Sequence, residues 1–83
     1  MPQLKVTVAN LTGHAQLVHV FDTLTGGTRP VEGSPFSLAH GARSAAFGVN
    51  ADARGRGILA YRCQSGILRS GIDVADGTGV DIR

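Results

Sequence analysis

Residues 3–10 read QLKVTVAN, a run in which Leu4, Val6 and Val8 alternate with other side chains. Because successive side chains of a β-strand point to opposite faces, this period of two places the three aliphatic groups on one side of a sheet. Similar short runs, each closed by a glycine or asparagine turn signal, continue to the end of the chain and leave no room for a helix. We therefore predict an all-β fold, a small antiparallel β-sandwich of about seven or eight short strands, with a closed β-barrel as the alternative.

Turn signals divide the chain into strands. The predicted strands are 3–10, 15–22, 36–38, 43–49, 58–63, 67–74 and a last run that contains Val80 and Ile82. Residues 29–35 contain two prolines, which cannot donate hydrogen bonds to a neighbouring strand, so we predict an edge segment or a loop there. Gln64-Ser65-Gly66 and Asp76-Gly77 are typical of hairpin turns, and they predict that the last three strands form an antiparallel meander.

The alternation within each run also predicts the hydrophobic core. One of the two faces of each predicted strand is consistently apolar, and we assign that face to the interior. The predicted core residues are Leu4, Val6, Val8, Val18, Val20, Phe36, Leu38, Phe47, Val49, Leu59, Tyr61, Ile72, Val74, Val80 and Ile82.

The length of the chain limits how stable a single core can be. We predict one domain over residues 1–83, and a domain of this size buries only about 60–65% of the surface that its unfolded chain exposes. Small all-β domains often compensate with disulfides, a metal or a partner subunit. Cys63 is the only cysteine, so no disulfide can form within the chain. Self-association is therefore the compensation that we expect.

Charge and terminal sequence favour neither nucleic acid nor a membrane as a partner. The formal net charge is +2, and seven of the eight basic residues are arginine, a bias typical of GC-rich bacterial genomes. The arginines do not form a dense run, so binding of nucleic acid is not favoured. The chain begins without a basic segment followed by an apolar stretch, and it contains no apolar run long enough to span a membrane. We expect a small bacterial protein of the cytoplasm.

Candidate catalytic and metal sites are weak in this sequence. Asp73, Asp76 and Asp81 offer oxygen ligands for calcium, but one is a turn residue and the other two alternate with apolar residues as outward strand positions. The three histidines have no spacing that places two of them on one surface. Cys63 ends an apolar strand, where a cysteine is usually an inert small hydrophobe. We predict no catalytic residue, no metal site and no cofactor, and therefore no enzyme.

Two arginines lie close together in the longest polar connection, residues 50–57. Arg54 and Arg56 are each followed by glycine, so we expect an exposed, mobile loop. Arginines in such a loop can donate paired hydrogen bonds to a phosphate, a carboxylate or a partner surface. Binders of single-stranded nucleic acid add exposed aromatic side chains on which bases stack, whereas the few aromatic residues here are needed for the core. We therefore assign Arg54 and Arg56 as possible contacts to a protein partner.

Four apolar side chains lie on the strand faces opposite to the predicted core. They are Leu17, Phe21, Ile58 and Ile67. A two-layer sandwich leaves them in water, and contiguous apolar patches on soluble proteins usually mark interaction sites. We predict that they contact a partner, of which a second copy in a two-fold dimer is the simplest.

Two hypotheses about function follow from these patterns. The leading hypothesis is a non-enzymatic protein-interaction module that self-associates. The alternative is a small domain that binds a glycan or calcium through the loops at one end of the sandwich. Exposed aliphatic groups favour the first hypothesis, whereas aromatic and carboxylate groups at loop ends would favour the second.

Overall fold

The computed structural model describes residues 3–83, which contain eight β-strands and no helix. The strands are β1 (Gln3–Asn10), β2 (Gln16–Asp22), β3 (Arg29–Pro30), β4 (Phe36–Leu38), β5 (Phe47–Asn50), β6 (Gly57–Cys63), β7 (Leu68–Val74) and β8 (Gly79–Ile82). The all-β prediction is confirmed, and β1 has the predicted bounds. Within the described residues there is no helix that could cross a membrane.

The strands form two separate sheets. A three-stranded sheet has the order β5-β1-β8, and a five-stranded sheet has the order β3-β2-β6-β7, with β4 also paired to β2. The apolar sides of the two sheets share one cluster of buried residues. This arrangement confirms the predicted sandwich, and residues 3–83 do not form the closed barrel that was its alternative.

The hairpin between β6 and β7 is present as predicted. The amide of Gly66 donates to the carbonyl oxygen of Cys63 at 2.9 Å, and the amide of Cys63 donates to the carbonyl oxygen of Ile67 at 2.8 Å. Gly66 has a φ of +107°, a backbone conformation that glycine adopts without the steric cost other residues incur. The local turn signal was therefore sufficient to identify this connection.

The predicted meander of the last three strands is wrong. β8 leaves the five-stranded sheet and pairs in parallel with β1. The Asp76-Gly77 turn binds the backbone of Lys5 instead of closing a hairpin: the amide of Lys5 donates to Asp76 Oδ1, and the amide of Gly77 donates to the carbonyl oxygen of Lys5, both at 2.8 Å. The turn therefore carries the chain from one sheet to the other.

The predicted strand over residues 43–49 is shorter in the structure. Arg43 forms only an isolated bridge with Ala9, and β5 begins at Phe47. Between them the Ser44 hydroxyl accepts a hydrogen bond from the amide of Val8 at 3.1 Å, where a regular ladder would supply a backbone carbonyl. The serine side chain thus replaces part of the strand pairing.

The side chain of Asn10 closes the end of β1. It is fully buried, and its amide nitrogen donates to the carbonyl oxygens of His14 at 2.7 Å and Leu38 at 2.8 Å. Its side-chain oxygen accepts from both the amide and the hydroxyl of Thr12. Asn10 therefore connects the end of β1, the turn before β2 and the end of β4.

The core prediction is confirmed for all of its residues except Phe36 and Ile72, which are half-buried and pack against the core. The Phe36 ring lies 5.5 Å from the Phe47 ring, measured between centroids. The alternation did not identify Val31, Ala51 and Cys63, which also belong to the buried cluster. Val31 and Ala51 lie outside the strands, where a period of two carries no information.

Replacement of Phe47 tests the core directly. Phe47 is 3% exposed, and its truncation in Phe47→Ala should lower the free energy of unfolding by about 3–5 kcal/mol because it leaves a cavity. Urea unfolding measures the loss. The half-buried Phe36→Ala is the matched control and should lose less. An unchanged stability for Phe47→Ala would show that the ring is not part of the core.

Candidate interaction surface

The outer face of the five-stranded sheet is built by the pairing of β2 with β6. Phe21 pairs with Ala60, and His19 pairs with Arg62. Residues directly opposite each other in an antiparallel pair project to the same side of the sheet. Because Val18 and Val20 point into the core, the alternate residues of β2 and their partners on β6 face outward. Leu17 and Ile58 lie on the same face, at the two ends of this surface.

A bulge in β7 adds an exposed leucine to this face. Leu68 pairs with Arg62, and Asp73 pairs with Ile58. Leu68 and Asp73 are five residues apart and would point to opposite sides of a regular strand. The register shifts between Leu59 and Tyr61 of β6, so β7 contains one extra residue there. Gly71, with a φ of +67°, lies in this bulge.

We call the apolar part of this surface the outer apolar face. It consists of Leu17, Phe21, Ile58, Ala60 and Leu68, of which Ala60 is buried. Leu68 is 65% exposed, whereas the Leu17, Phe21 and Ile58 side chains are half-buried. The Phe21 ring stacks on the His19 ring at 6.4 Å between centroids. The structure therefore places three of the side chains that the sequence assigned to a partner surface on one face of the sheet.

Ile67 is the exception, because it packs against the core and does not face away from it. Its carbonyl oxygen closes the hairpin turn by accepting from the amide of Cys63, so Ile67 precedes β7 and does not follow the alternation of that strand. Leu68 is the exposed member of the Ile67-Leu68 pair. Two adjacent apolar residues at the start of a strand were the available signal, since both cannot point to the same side.

The outer face of the three-stranded sheet is polar by comparison. Arg43 lies across it, donating from Nη1 to the Thr7 hydroxyl at 2.9 Å and placing Nη2 3.7 Å from Asp81 Oδ1. Arg83 forms a second ion pair with Asp81 at 3.5 Å. Lys5 is exposed on the same face. The two sheets therefore differ in what they present to solvent.

The loop that holds Arg54 and Arg56 is exposed, as predicted, and it is closed around Asp52. Asp52 Oδ1 accepts hydrogen bonds from the amides of Arg56 at 3.0 Å and Arg54 at 2.8 Å. These backbone hydrogen bonds lower the pKa of the Asp52 carboxyl below its ordinary value. The two arginines belong to this loop and not to the outer apolar face.

The carboxylates considered for calcium are separated by the fold. Asp76 binds the amide of Lys5, Asp81 forms ion pairs on the three-stranded sheet, and Asp73 lies on the five-stranded sheet. In the part of the chain that the structure describes, no three histidine, cysteine, aspartate or glutamate side chains are grouped to hold a metal. Cys63 is buried, and burial raises the pKa of its thiol, which disfavours the reactive thiolate.

A small polar pocket lies between β3 and β5. Its volume is about 140 Å³, and its lining includes Asp22, Arg29, Glu32 and Asn50. Both oxygens of Asp22 already accept backbone hydrogen bonds, Oδ1 from Leu24 at 3.1 Å and Oδ2 from Asn50 at 2.9 Å. Pockets that enclose drug-sized ligands measure roughly 300–1,000 Å³. This pocket suits only a small polar molecule.

Comparisons of this chain with protein family models, with curated proteins and with solved structures find no match. Its function is therefore inferred from the surfaces described above. Of these, the outer apolar face is the one that exposes a large hydrophobic side chain, Leu68 at 65%.

The Asp52 turn gives a prediction that nuclear magnetic resonance can test. We expect the Asp52 carboxyl to titrate below its ordinary pKa of 3.8 in the folded protein and to return to that value in urea. Because the folded-state pKa is the lower one, the stabilisation is complete above the unfolded value and is lost as the pH falls through the folded value.

A double variant separates the causes of this pKa shift. Arg54→Ala/Arg56→Ala keeps the backbone amides, which are the largest causes, and removes only the smaller attraction of the guanidinium groups. Most of the lowering should therefore persist in the variant. An ordinary pKa for Asp52 in the folded wild type would show that the turn is not closed in solution.

Proposed function

We propose that the protein is a non-enzymatic interaction module that associates with a second copy of itself through the outer apolar face. The observation that carries the proposal is the 65% exposure of Leu68 on the same sheet face as the half-buried Leu17, Phe21 and Ile58. Exposed apolar surface of this kind is stabilised when a partner removes it from water.

The difference between the outer faces of the two sheets supports the five-stranded sheet as the one that contacts the partner. The outer face of the three-stranded sheet is covered by the ion pairs of Arg43, Asp81 and Arg83, so it is well solvated. The five-stranded sheet packs its inner side on the core and also has apolar side chains on its outer side, as expected of a sheet that has a partner on each side. The small core, which no disulfide within the chain reinforces, also favours association.

The strand edges support association by the face and not by the edge. The edge strand β7 contains the bulge at Gly71, and β3 contains Pro30. Bulges and prolines are common means by which natural sheets prevent pairing with strands of other molecules. Edge-to-edge addition of a second sheet is therefore the weaker form of the proposal.

A second candidate function is the binding of a small polar ligand in the pocket between β3 and β5. Its support is that Arg29 and Glu32 bring charges of both signs to the pocket and form no ion pair with other residues of the range 3–83. Addition of calcium or of a monosaccharide should then shift the backbone amide signals of Glu32 and Asn50. Unshifted signals at millimolar ligand would exclude this candidate.

Light scattering at micromolar concentrations tests the proposed self-association. The wild type should have a mass above that of the monomer that increases with concentration, and Leu68→Ser should lower it by removing the most exposed apolar side chain. Leu11→Ser is the matched control, because Leu11 is exposed at 37% but lies in the turn after β1. A monomer mass for the wild type at every concentration would contradict the proposal.

Binding of nucleic acid should be absent. We expect no retention of single-stranded DNA or RNA by the wild type in a filter-binding assay at physiological salt. Retention through Arg54 and Arg56 would decrease steeply with salt, because phosphate contacts release counterions. Tight, salt-sensitive retention that is lost in Arg54→Ala/Arg56→Ala would replace the protein partner with a nucleic acid.

A further inference from the structure

Two exposed charges lie on the same side of the sheet as the outer apolar face. Arg62, on β6, and Asp73, on β7, both project outward according to the strand register. Both are exposed, and neither forms an ion pair with another residue in the range 3–83. The outer side of the sheet therefore has a positive group beside Leu68 and a negative group beside Ile58, with Phe21 and Ala60 at the level between them.

The positions of these charges are symmetric about the middle of the face. Ile58 and Arg62 are four residues apart on β6, about 13 Å along the strand, and Ala60 lies halfway between them. Asp73 pairs with Ile58, so it is as far from the level of Ala60 on one side as Arg62 is on the other. The lateral offset is one strand spacing, about 4.8 Å, which an arginine side chain can span.

We infer that two copies pack face to face about a two-fold axis that crosses the strands at the level of Ala60, with Arg62 of each copy paired to Asp73 of the other. This inference rests on the proposed function and specifies its geometry. Because Phe21 pairs with Ala60, the Phe21 rings of the two copies meet close to the axis.

The arrangement agrees with the general chemistry of such interfaces. In a two-fold interface one surface meets itself, so a contact between residues i and j occurs twice. The Phe21 rings then lie near the centre of the interface, and the charged Arg62 and Asp73 lie farther from the axis. The face spans three strands of about seven residues, an area well below the roughly 800 Å² per partner of a standard interface. A weak, concentration-dependent dimer is therefore expected.

Charge reversal tests this geometry. Arg62→Glu places two carboxylates together at both pairs of the homodimer, and Asp73→Arg places two guanidinium groups together there. Each variant should weaken self-association by about tenfold, because attraction becomes repulsion at both pairs. An equimolar mixture of the two variants should recover association. In the mixed dimer the introduced glutamate meets the introduced arginine at one pair, and the native Arg62 meets the native Asp73 at the other, so both pairs are attractive. Native mass spectrometry distinguishes this mixed dimer by its mass.

Lys5→Glu is the matched control, since it makes the same charge change on the exposed face of the other sheet and should leave self-association unchanged. Arg62→Gln and Asp73→Asn remove the charges without reversing them and should give smaller losses than the reversals. Thermal unfolding of every variant verifies that the fold is retained.

The outcomes separate the two proposals. Weakened single variants and a recovered mixed dimer support the geometry. A wild type that self-associates, with charge variants that behave like it or with no mixed dimer, overturns the geometry and leaves the proposed function intact. A monomeric wild type overturns both.

Discussion

The buried amide of Asn10 joins the end of β1, the turn that leads into β2 and the end of β4. These segments belong to different sheets, so this one side chain fixes how the two layers meet at that end of the sandwich. A buried amide without partners would cost about 1–3 kcal/mol, whereas here both its nitrogen and its oxygen are satisfied. The course of the chain around Asn10 is therefore strongly determined.

The strands that line the core also determine the chemistry of the outer surface. β2 and β6 contribute Val18, Val20 and Leu59 to the core, and they also have apolar side chains on their other side. In the smaller sheet, β1 alternates as far as Val8, and Lys5 and Asp81 are outward. The outer faces of the two sheets therefore differ in chemistry, and this difference is what supports the proposed interaction of the five-stranded sheet.

Much of the fold was predictable because its causes are local. Alternation identified β1 and the buried positions, and Gly66 identified the hairpin of β6 and β7. The parallel pairing of β8 with β1 was not predictable, because an Asp-Gly turn indicates a reversal but not which strand the chain joins next. The Ser44 hydroxyl that replaces a ladder hydrogen bond leaves no pattern in the sequence either.

The candidate surface was predictable in part. Leu17, Phe21 and Ile58 follow from strict alternation, and the structure places them on one face. Leu68 and Asp73 do not, because the extra residue near Gly71 changes the alternation between them. A glycine in a strand can indicate a bulge, but the sequence alone does not give its register.

The bulge in β7 changes the shape of the sheet edge without changing which side chains the outer face presents. Loss of one residue there would leave Leu68 opposite Arg62 and Asp73 opposite Ile58, so the face would keep its side chains. The edge, however, would become straight and free to pair with strands of further molecules. The extra residue thus disfavours pairing of sheet edges that could grow without limit into a fibre.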